Sequence, residues 1–104
     1  MTNLKPIRKG DDYWFQIKVW SDTEKTTLKD LTSVDITITA RYANGTTAFQ
    51  KTNGQLQSPD QYRRIFILSE SETDALTSGE VLYEIDTIES GISKEYARGY
   101  ILIQ

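Results

Sequence analysis

Apolar and polar residues alternate along most of this chain, with the period of two that is typical of β-strands. The clearest example is Val34–Tyr42, where every second residue is apolar or aromatic and the residues between are polar. The same pattern predicts strands at Tyr13–Trp20, Thr46–Lys51, Tyr62–Leu68, Glu80–Ile88 and Tyr96–Gln104, with a short edge strand near Ile7 after Pro6. The chain therefore reads as about seven short strands.

Turn signals separate these strands. Asn44-Gly45 lies between two alternating segments, which favours a type I′ hairpin because both positions tolerate positive φ. Further turns are expected at Asn53-Gly54, Ser58-Pro59-Asp60 and Gly91, and a bulge is expected at Gly99.

One short helical turn is expected between the strands. Ser69 is followed three residues later by Glu72, which is the spacing of a capping box. This spacing predicts a turn of helix over Glu70–Leu76 that ends at Ser78-Gly79.

The spacing of the strands and the composition agree on fold class. Branched and aromatic side chains are frequent, with 11% aromatic residues, and they suit a pleated sheet. The 38% of hydrophobic residues allows folding around a thin core. We predict one domain over residues 1–104, an all-β antiparallel sandwich of immunoglobulin-like architecture.

The chain has no cysteine and no histidine among its 104 residues. Disulfides, thiol catalysis, a Ser-His-Asp triad and zinc sites built on Cys or His are therefore excluded. The net charge of −3 argues against the excess of basic residues that is typical of nucleic-acid-binding domains. No apolar run has the length of a membrane span, and the first ten residues lack the apolar region of a signal peptide. We expect no cofactor.

Carboxylates are the only candidates for catalysis or metal binding. Glu84 and Asp86 are two apart on a predicted strand, so they share a face at roughly 7 Å, a separation at which glycosidases work. A solvated strand face is the simpler interpretation, and we expect no enzymatic activity. Calcium is a second option, with loop carboxylates at Asp11, Asp12, Asp22, Glu24 and Asp30. Turn-forming aspartates are the simpler interpretation of these residues, because no Asp-x-Asp-x-Asp-Gly loop is present.

The two tryptophans are the leading candidates for a binding surface. On the predicted strand, Trp14 and Trp20 share the face of Lys18, at a separation of roughly 20 Å. Exposed aromatics are enriched at protein interfaces, and they also stack on sugar rings. The alternative is that one or both tryptophans are buried in the core or covered by a loop or by the N-terminal segment. We include Arg41, on the outward face of its strand, in the candidate interface.

Two other motifs have plainer explanations. Arg63-Arg64 can grip a phosphate or carboxylate, but on an acidic chain we expect both arginines to be exposed and paired with Asp or Glu. Asn44-Gly45-Thr46 matches a glycosylation sequon, and we interpret it as a hairpin turn.

Four segments together carry a family resemblance. They are IRKGDDYWFQIKVW (Ile7–Trp20), LKDLTSVDITITARYANG (Leu28–Gly45), ILSESETDALTSGEVLYEIDTI (Ile67–Ile88) and RGYILIQ (Arg98–Gln104). Their order resembles the small β-sandwich domains of tailed bacteriophages, in particular the N-terminal domain of the baseplate upper protein family and head- or tail-fibre attachment domains. Members often continue into a fibre, whereas this chain stops at Gln104, which favours a stand-alone accessory protein or an isolated domain.

The resemblance implies a non-enzymatic virion protein of the baseplate, tail, neck or capsid, assembled in the host cytoplasm. Its partners would be other virion proteins and further copies of itself, with no nucleic acid and no membrane. The alternative is a module that binds carbohydrate or a cell surface, assisted by calcium.

Overall fold

Seven strands form two sheets in the computed structural model, which describes residues 3–21 and 24–104. The strands are β1 (Tyr13–Ile17), β2 (Asp35–Tyr42), β3 (Thr47–Lys51), β4 (Gln57–Asp60), β5 (Arg63–Leu68), β6 (Gly79–Glu89) and β7 (Ile92–Ile103). A 3₁₀ turn lies at Asn53–Gln55, and one short helix, α1, covers Glu70–Asp74. The predicted all-β class is confirmed.

The larger sheet has four antiparallel strands in the order β3-β2-β6-β7. Ile38 of β2 lies opposite Ile85 of β6, and Ala40 lies opposite Tyr83, so the apolar residues of both strands share one face. All four are buried, which confirms the faces that alternation predicts.

The smaller sheet has three antiparallel strands in the order β1-β5-β4. Phe15 lies opposite Phe66, and their rings stack with centroids 4.8 Å apart. Phe66 also meets Phe49 of the larger sheet at 5.4 Å, so these aromatic side chains join the two layers. The core is the apolar layer between the sheets.

The first described residues lie beside the last strand. The amide of Ile7 donates to the carbonyl of Leu102 at 2.8 Å, and the amide of Gln104 donates to the carbonyl of Ile7 at 2.8 Å. Ile7 bridges Ile103 in parallel and is fully buried. We call residues 4–9 the N-terminal strap. The short edge strand expected near Ile7 is a single bridge here.

The helix α1 begins as predicted. The Ser69 hydroxyl accepts from the Glu72 amide at 3.3 Å, and a Glu72 carboxylate oxygen accepts from the Ser69 amide at 3.0 Å. Thr73 is buried within the helix. Its Oγ1 accepts from the Gly10 amide at 3.1 Å and lies 2.8 Å from the Asp11 carbonyl oxygen, so the helix holds the turn before β1.

Several turn predictions are wrong in detail. At the β2–β3 hairpin only Gly45 has positive φ, at +88°, so the loop is not type I′. The Gly45 amide instead closes a turn on the Tyr42 carbonyl at 2.9 Å, which is the three-residue loop with a glycine bulge. Both φ values are positive at Ser90 and Gly91, where a two-residue loop joins β6 to β7.

Details of the strands β4 and β7 also differ from the predictions. Ser58 and Pro59 lie in β4, where proline is tolerated because β4 is an edge strand, and the turn follows Asp60. The bulge of β7 is at Tyr96, since Ala97 lies opposite Ile85 and Glu95 lies opposite Asp86, whereas Gly99 pairs regularly. The strand β7 begins at Ile92 rather than at Tyr96.

Candidate functional site

One side of the sandwich is bordered by two edge strands, β1 of the smaller sheet and β7 of the larger sheet. Two tyrosines link its parts: the Tyr13 hydroxyl donates to the Lys5 carbonyl at 2.8 Å, and the Tyr96 hydroxyl donates to the Lys18 carbonyl at 2.7 Å. We call this region the β1/β7 side.

The N-terminal strap covers only part of this side. The carbonyls of Tyr100 and Leu102 accept from the amides of Leu4 and Ile7. In the described part of the chain, β6 is the only backbone partner of Ile92–Arg98. The first half of β7 is therefore an open sheet edge.

A groove of about 420 Å³ lies beside this open edge. Trp20 and Tyr96 are among its lining residues, together with Val34 near the start of β2. Lys29 and Glu89 also line it and form an ion pair at 3.0 Å. Aromatic and charged side chains thus meet in one shallow depression.

The two tryptophans do not share a strand. The predicted strand Tyr13–Trp20 ends at Ile17, because the pairing of β1 with β5 ends where Ile17 meets Arg64. Trp20 is half-buried in the groove and bridges Leu28. The prediction of one strand face carrying both rings is therefore wrong.

Trp14 lies on the outward face of the smaller sheet, opposite Ile67 of β5, and is 50% exposed. The Lys5 ammonium lies 5.5 Å from the centroid of the Trp14 ring. This cation–π contact occupies part of the ring surface that a sugar would need.

Large exposed apolar side chains are concentrated around the β1/β7 side. Within the described ranges, five of the seven lie on β1 or β7. These five are Trp14, Ile92, Tyr96, Tyr100 and Leu102. Ile92 and Tyr96 line the groove, whereas Tyr100 and Leu102 lie on the outward face of the larger sheet and Trp14 lies on that of the smaller sheet. Exposed apolar side chains on edge strands are candidate contact points for a partner.

The other two residues of the expected interface are placed differently. Lys18 is exposed beside the groove, where its carbonyl accepts the hydrogen bond from Tyr96. Arg41 lies on the outward face of β2, which β6 separates from β7. Its guanidinium is 3.9 Å from the Glu84 carboxylate, so the structure does not bring Arg41 to the tryptophans.

Glu84 and Asp86 do share the outward face of β6, as alternation predicts. Glu84 lies between Arg41 and Arg98 of the neighbouring strands. Asp86 lies opposite Glu95. Glu84 and Asp86 therefore belong to a row of charged side chains that crosses the outward face of the larger sheet.

The expected calcium ligands are dispersed. Asp11 is 3.9 Å from Arg8, and the side-chain hydrogen bond from Thr32 lowers the pKa of Asp30. No group of three or more metal-binding side chains is found in the ranges 3–21 and 24–104. Asp22 lies outside the described residues.

The arginine pair divides into two environments. Arg63 is partly exposed and forms an ion pair with Asp60 at 2.8 Å, as predicted. The prediction for Arg64 is wrong: it is only 6% exposed, because its position shares the inward face of Phe66 and Leu68. The sequence signal for this burial was the spacing of two residues that places Arg64 on the same strand face as Phe66 and Leu68.

Backbone carbonyls satisfy most of the buried Arg64 guanidinium. It donates to the carbonyl of Leu31 at 2.9 Å, and to those of Asp60 and Arg63 at 2.9 and 2.8 Å. Arg64 therefore fixes the loop before β2 to the β4–β5 turn and is not free to bind an anion.

Asn44 stabilises the hairpin turn, since its side-chain oxygen accepts from the Thr46 amide at 2.9 Å.

Among the residues that the structure describes, no helix is both long enough and apolar enough to cross a membrane. Comparisons with models of protein families, with curated proteins and with solved structures find no match to this chain.

Proposed function

We propose that this chain is a non-enzymatic structural or accessory protein of a tailed-bacteriophage virion, which binds other virion proteins through the β1/β7 side. The observation that carries the proposal is the placement of five exposed apolar side chains on two edge strands, one of which, β7, is open along its first half. The resemblance of the four sequence segments to baseplate and fibre-attachment domains supplies the virion setting. Assembly would take place in the host cytoplasm.

The physical argument concerns two kinds of contact. Apolar side chains such as Trp14 and Leu102 gain free energy when a partner removes them from water. An open edge offers unpaired backbone groups that fix the orientation of an added strand. A surface with both features suits a lasting assembly contact better than a catalytic cleft.

The proposal is tested on purified virus particles. Mass spectrometry should detect the chain in particles from the producing culture. In a deletion complemented with variants, Trp14→Ser and Leu102→Ser should each lower incorporation about tenfold or more. Tyr62→Ser is the matched control, because Tyr62 is 40% exposed but lies in the β4–β5 turn. Absence of the chain from particles, or equal incorporation of all three folded variants, would overturn the proposal.

The finer fold assignment is also part of the proposal. We assign the domain to the immunoglobulin-like sandwiches because it has seven strands in antiparallel sheets of three and four. The pairing of β2 with β3 in the larger sheet differs from constant-type domains, where the second and third strands lie in different sheets. An experimental structure showing a closed barrel would overturn this assignment.

A second candidate function is glycan binding in the groove, favoured by the position of Trp20 and Tyr96 beside charged side chains. Because the chain has two tryptophans, Trp14→Phe leaves Trp20 as the only indole reporter and Trp20→Phe leaves Trp14. A glycan series, titrated with and without calcium, should change the fluorescence of Trp14→Phe alone. No response from Trp14→Phe across the series would exclude this candidate.

A further inference from the structure

The open half of β7 has a regular set of outward-directed backbone groups. In an antiparallel ladder, alternate residues direct both backbone groups away from the neighbouring strand. Tyr100 and Leu102 are such residues, since their carbonyls accept from the N-terminal strap. Continuing the register with β6 across the bulge at Tyr96 identifies Arg98, Glu95 and Ser93 as the next ones.

The bulge places opposite charges at neighbouring outward positions. Glu95 lies opposite Asp86, and Arg98 lies opposite Glu84, so both side chains are on the exposed face of the larger sheet. Without the extra residue at Tyr96, two residues three apart in sequence would lie on opposite faces. Their own ion pair is long, at 3.8 Å between Arg98 Nε and a Glu95 carboxylate oxygen.

We infer that this edge pairs antiparallel with the same edge of a second copy of the chain, with Glu95 of each copy opposite Arg98 of the other. The inference rests on the proposed assembly function and names one partner for it. A two-fold axis perpendicular to the sheet places the exposed faces of the larger sheets of both copies on the same side. Under this symmetry each contact occurs twice in the dimer.

Charge selects this register among those the edge allows. Pairing Glu95 with Glu95 places like charges in contact, which is destabilising. Pairing Ser93 with either charged residue leaves a charge without an opposite neighbour. Only the register in which Glu95 of each copy lies opposite Arg98 of the other gives every one of these four charges an opposite charge across the interface.

The N-terminal strap sets the length of the contact. Beyond Arg98 the next outward residue is Tyr100, whose carbonyl already accepts from Leu4 and whose amide donates to the Asn3 side chain. The shared ladder therefore ends at Arg98 in each copy. Such a short edge contact gives a weak dimer, which becomes populated at the high local concentration inside an assembly.

Charge reversal tests the pairing. We expect sedimentation equilibrium up to about 1 mM protein to show a dimer that Glu95→Arg or Arg98→Glu weakens about tenfold. The double variant E95R/R98E should restore the dimer, because it exchanges the charges without changing the pattern. All three variants should keep the thermal midpoint, since both side chains are exposed.

Cysteine pairs test the register, because the chain contains no other thiol. Opposed residues of neighbouring strands lie within the Cα separation that a disulfide requires. A mixture of Glu95→Cys and Arg98→Cys should form a disulfide-linked heterodimer under mild oxidation faster than either variant alone. Thr47→Cys, on the β3 edge, is the control for random collision.

The outcomes separate this inference from the function on which it rests. A chain that stays monomeric at about 1 mM, or whose thiols react at equal rates in all mixtures, overturns the inference. If such a chain is still incorporated into particles through Trp14, the assembly function stands without it. A dimer in the expected register, formed by a chain that particles lack, supports the pairing while the virion function fails.

Discussion

The hydroxyl of Thr73 connects the helix α1 to the turn that leads into β1, and Thr73→Val removes that connection at almost constant volume. Thr73 has no exposed surface. Its Oγ1 accepts from the Gly10 amide at 3.1 Å and lies 2.8 Å from the Asp11 carbonyl oxygen and 3.1 Å from that of Glu70. Valine offers none of these contacts.

The expected loss of stability follows from the groups left without a partner. The Gly10 amide loses its acceptor and the Asp11 carbonyl loses a donor, and both of these hydrogen bonds are partly buried. A buried group left unpaired costs about 1–3 kcal/mol, and the added methyl group returns part of this. We therefore expect Thr73→Val to lower the free energy of unfolding by about 2–3 kcal/mol. Thr73→Ser, which keeps the hydroxyl and loses one methyl group, should cost about 1 kcal/mol.

Urea denaturation measures the difference, with hydrogen exchange as a local readout. With the slope typical of small proteins, Thr73→Val should lower the urea midpoint by about 1–2 M. The Gly10 amide should also exchange faster. Thr37→Val, at a half-buried position on β2, is the matched control and should change stability little. A Thr73→Val protein as stable as Thr73→Ser, with Gly10 still protected, would refute the reasoning.

Three further predictions concern charge, turn geometry and burial. The hydrogen bond from Lys51 lowers the pKa of the Glu72 carboxyl below 4.5, so the stability that this charged group contributes is lost as the pH falls through its pKa in the folded protein. Glu72→Gln keeps the cap of α1, and its free energy of unfolding should therefore fall less steeply with decreasing pH than that of the unmodified protein. Ser90 has a φ of 52°, a conformation that asparagine tolerates better than serine. Ser90→Asn should therefore raise the free energy of unfolding by about 0.5–1 kcal/mol in urea titrations, and an unchanged urea midpoint would contradict this. Burial raises the pKa of Tyr13 to about 12, so stability should fall as pH rises above 10, and Tyr13→Phe should remove the last tyrosinate step from an absorbance titration.

Short-range patterns predicted the parts of the fold that depend on neighbouring residues. The alternation of Val34–Tyr42 identified the inward residues of β2, and the spacing of Ser69 and Glu72 identified the cap of α1. These features follow from strand period and from hydrogen bonds three residues apart, so one segment is enough to specify them.

Features set by distant pairing were not predictable in the same way. The end of β1 at Ile17 depends on β5, and the bulge at Tyr96 depends on β6. Arg64 is instructive, because it shares a strand face with Phe66 and Leu68, yet its charge led to the prediction that it is exposed. The carbonyl of Leu31, which satisfies the guanidinium, belongs to a segment that no local pattern connects to β5.

The pairing of the N-terminal strap with β7 has a consequence for the order of folding. Ile7 and Ile103 are far apart in the sequence, so their bridge cannot form until β7 has left the ribosome. The β2–β3 hairpin needs only a short stretch of chain and can form early. Contacts of such long sequence separation slow folding. During synthesis the backbone groups of the N-terminal strap therefore stay unpaired until β7 is available, and the pairing of β7 completes the sandwich last.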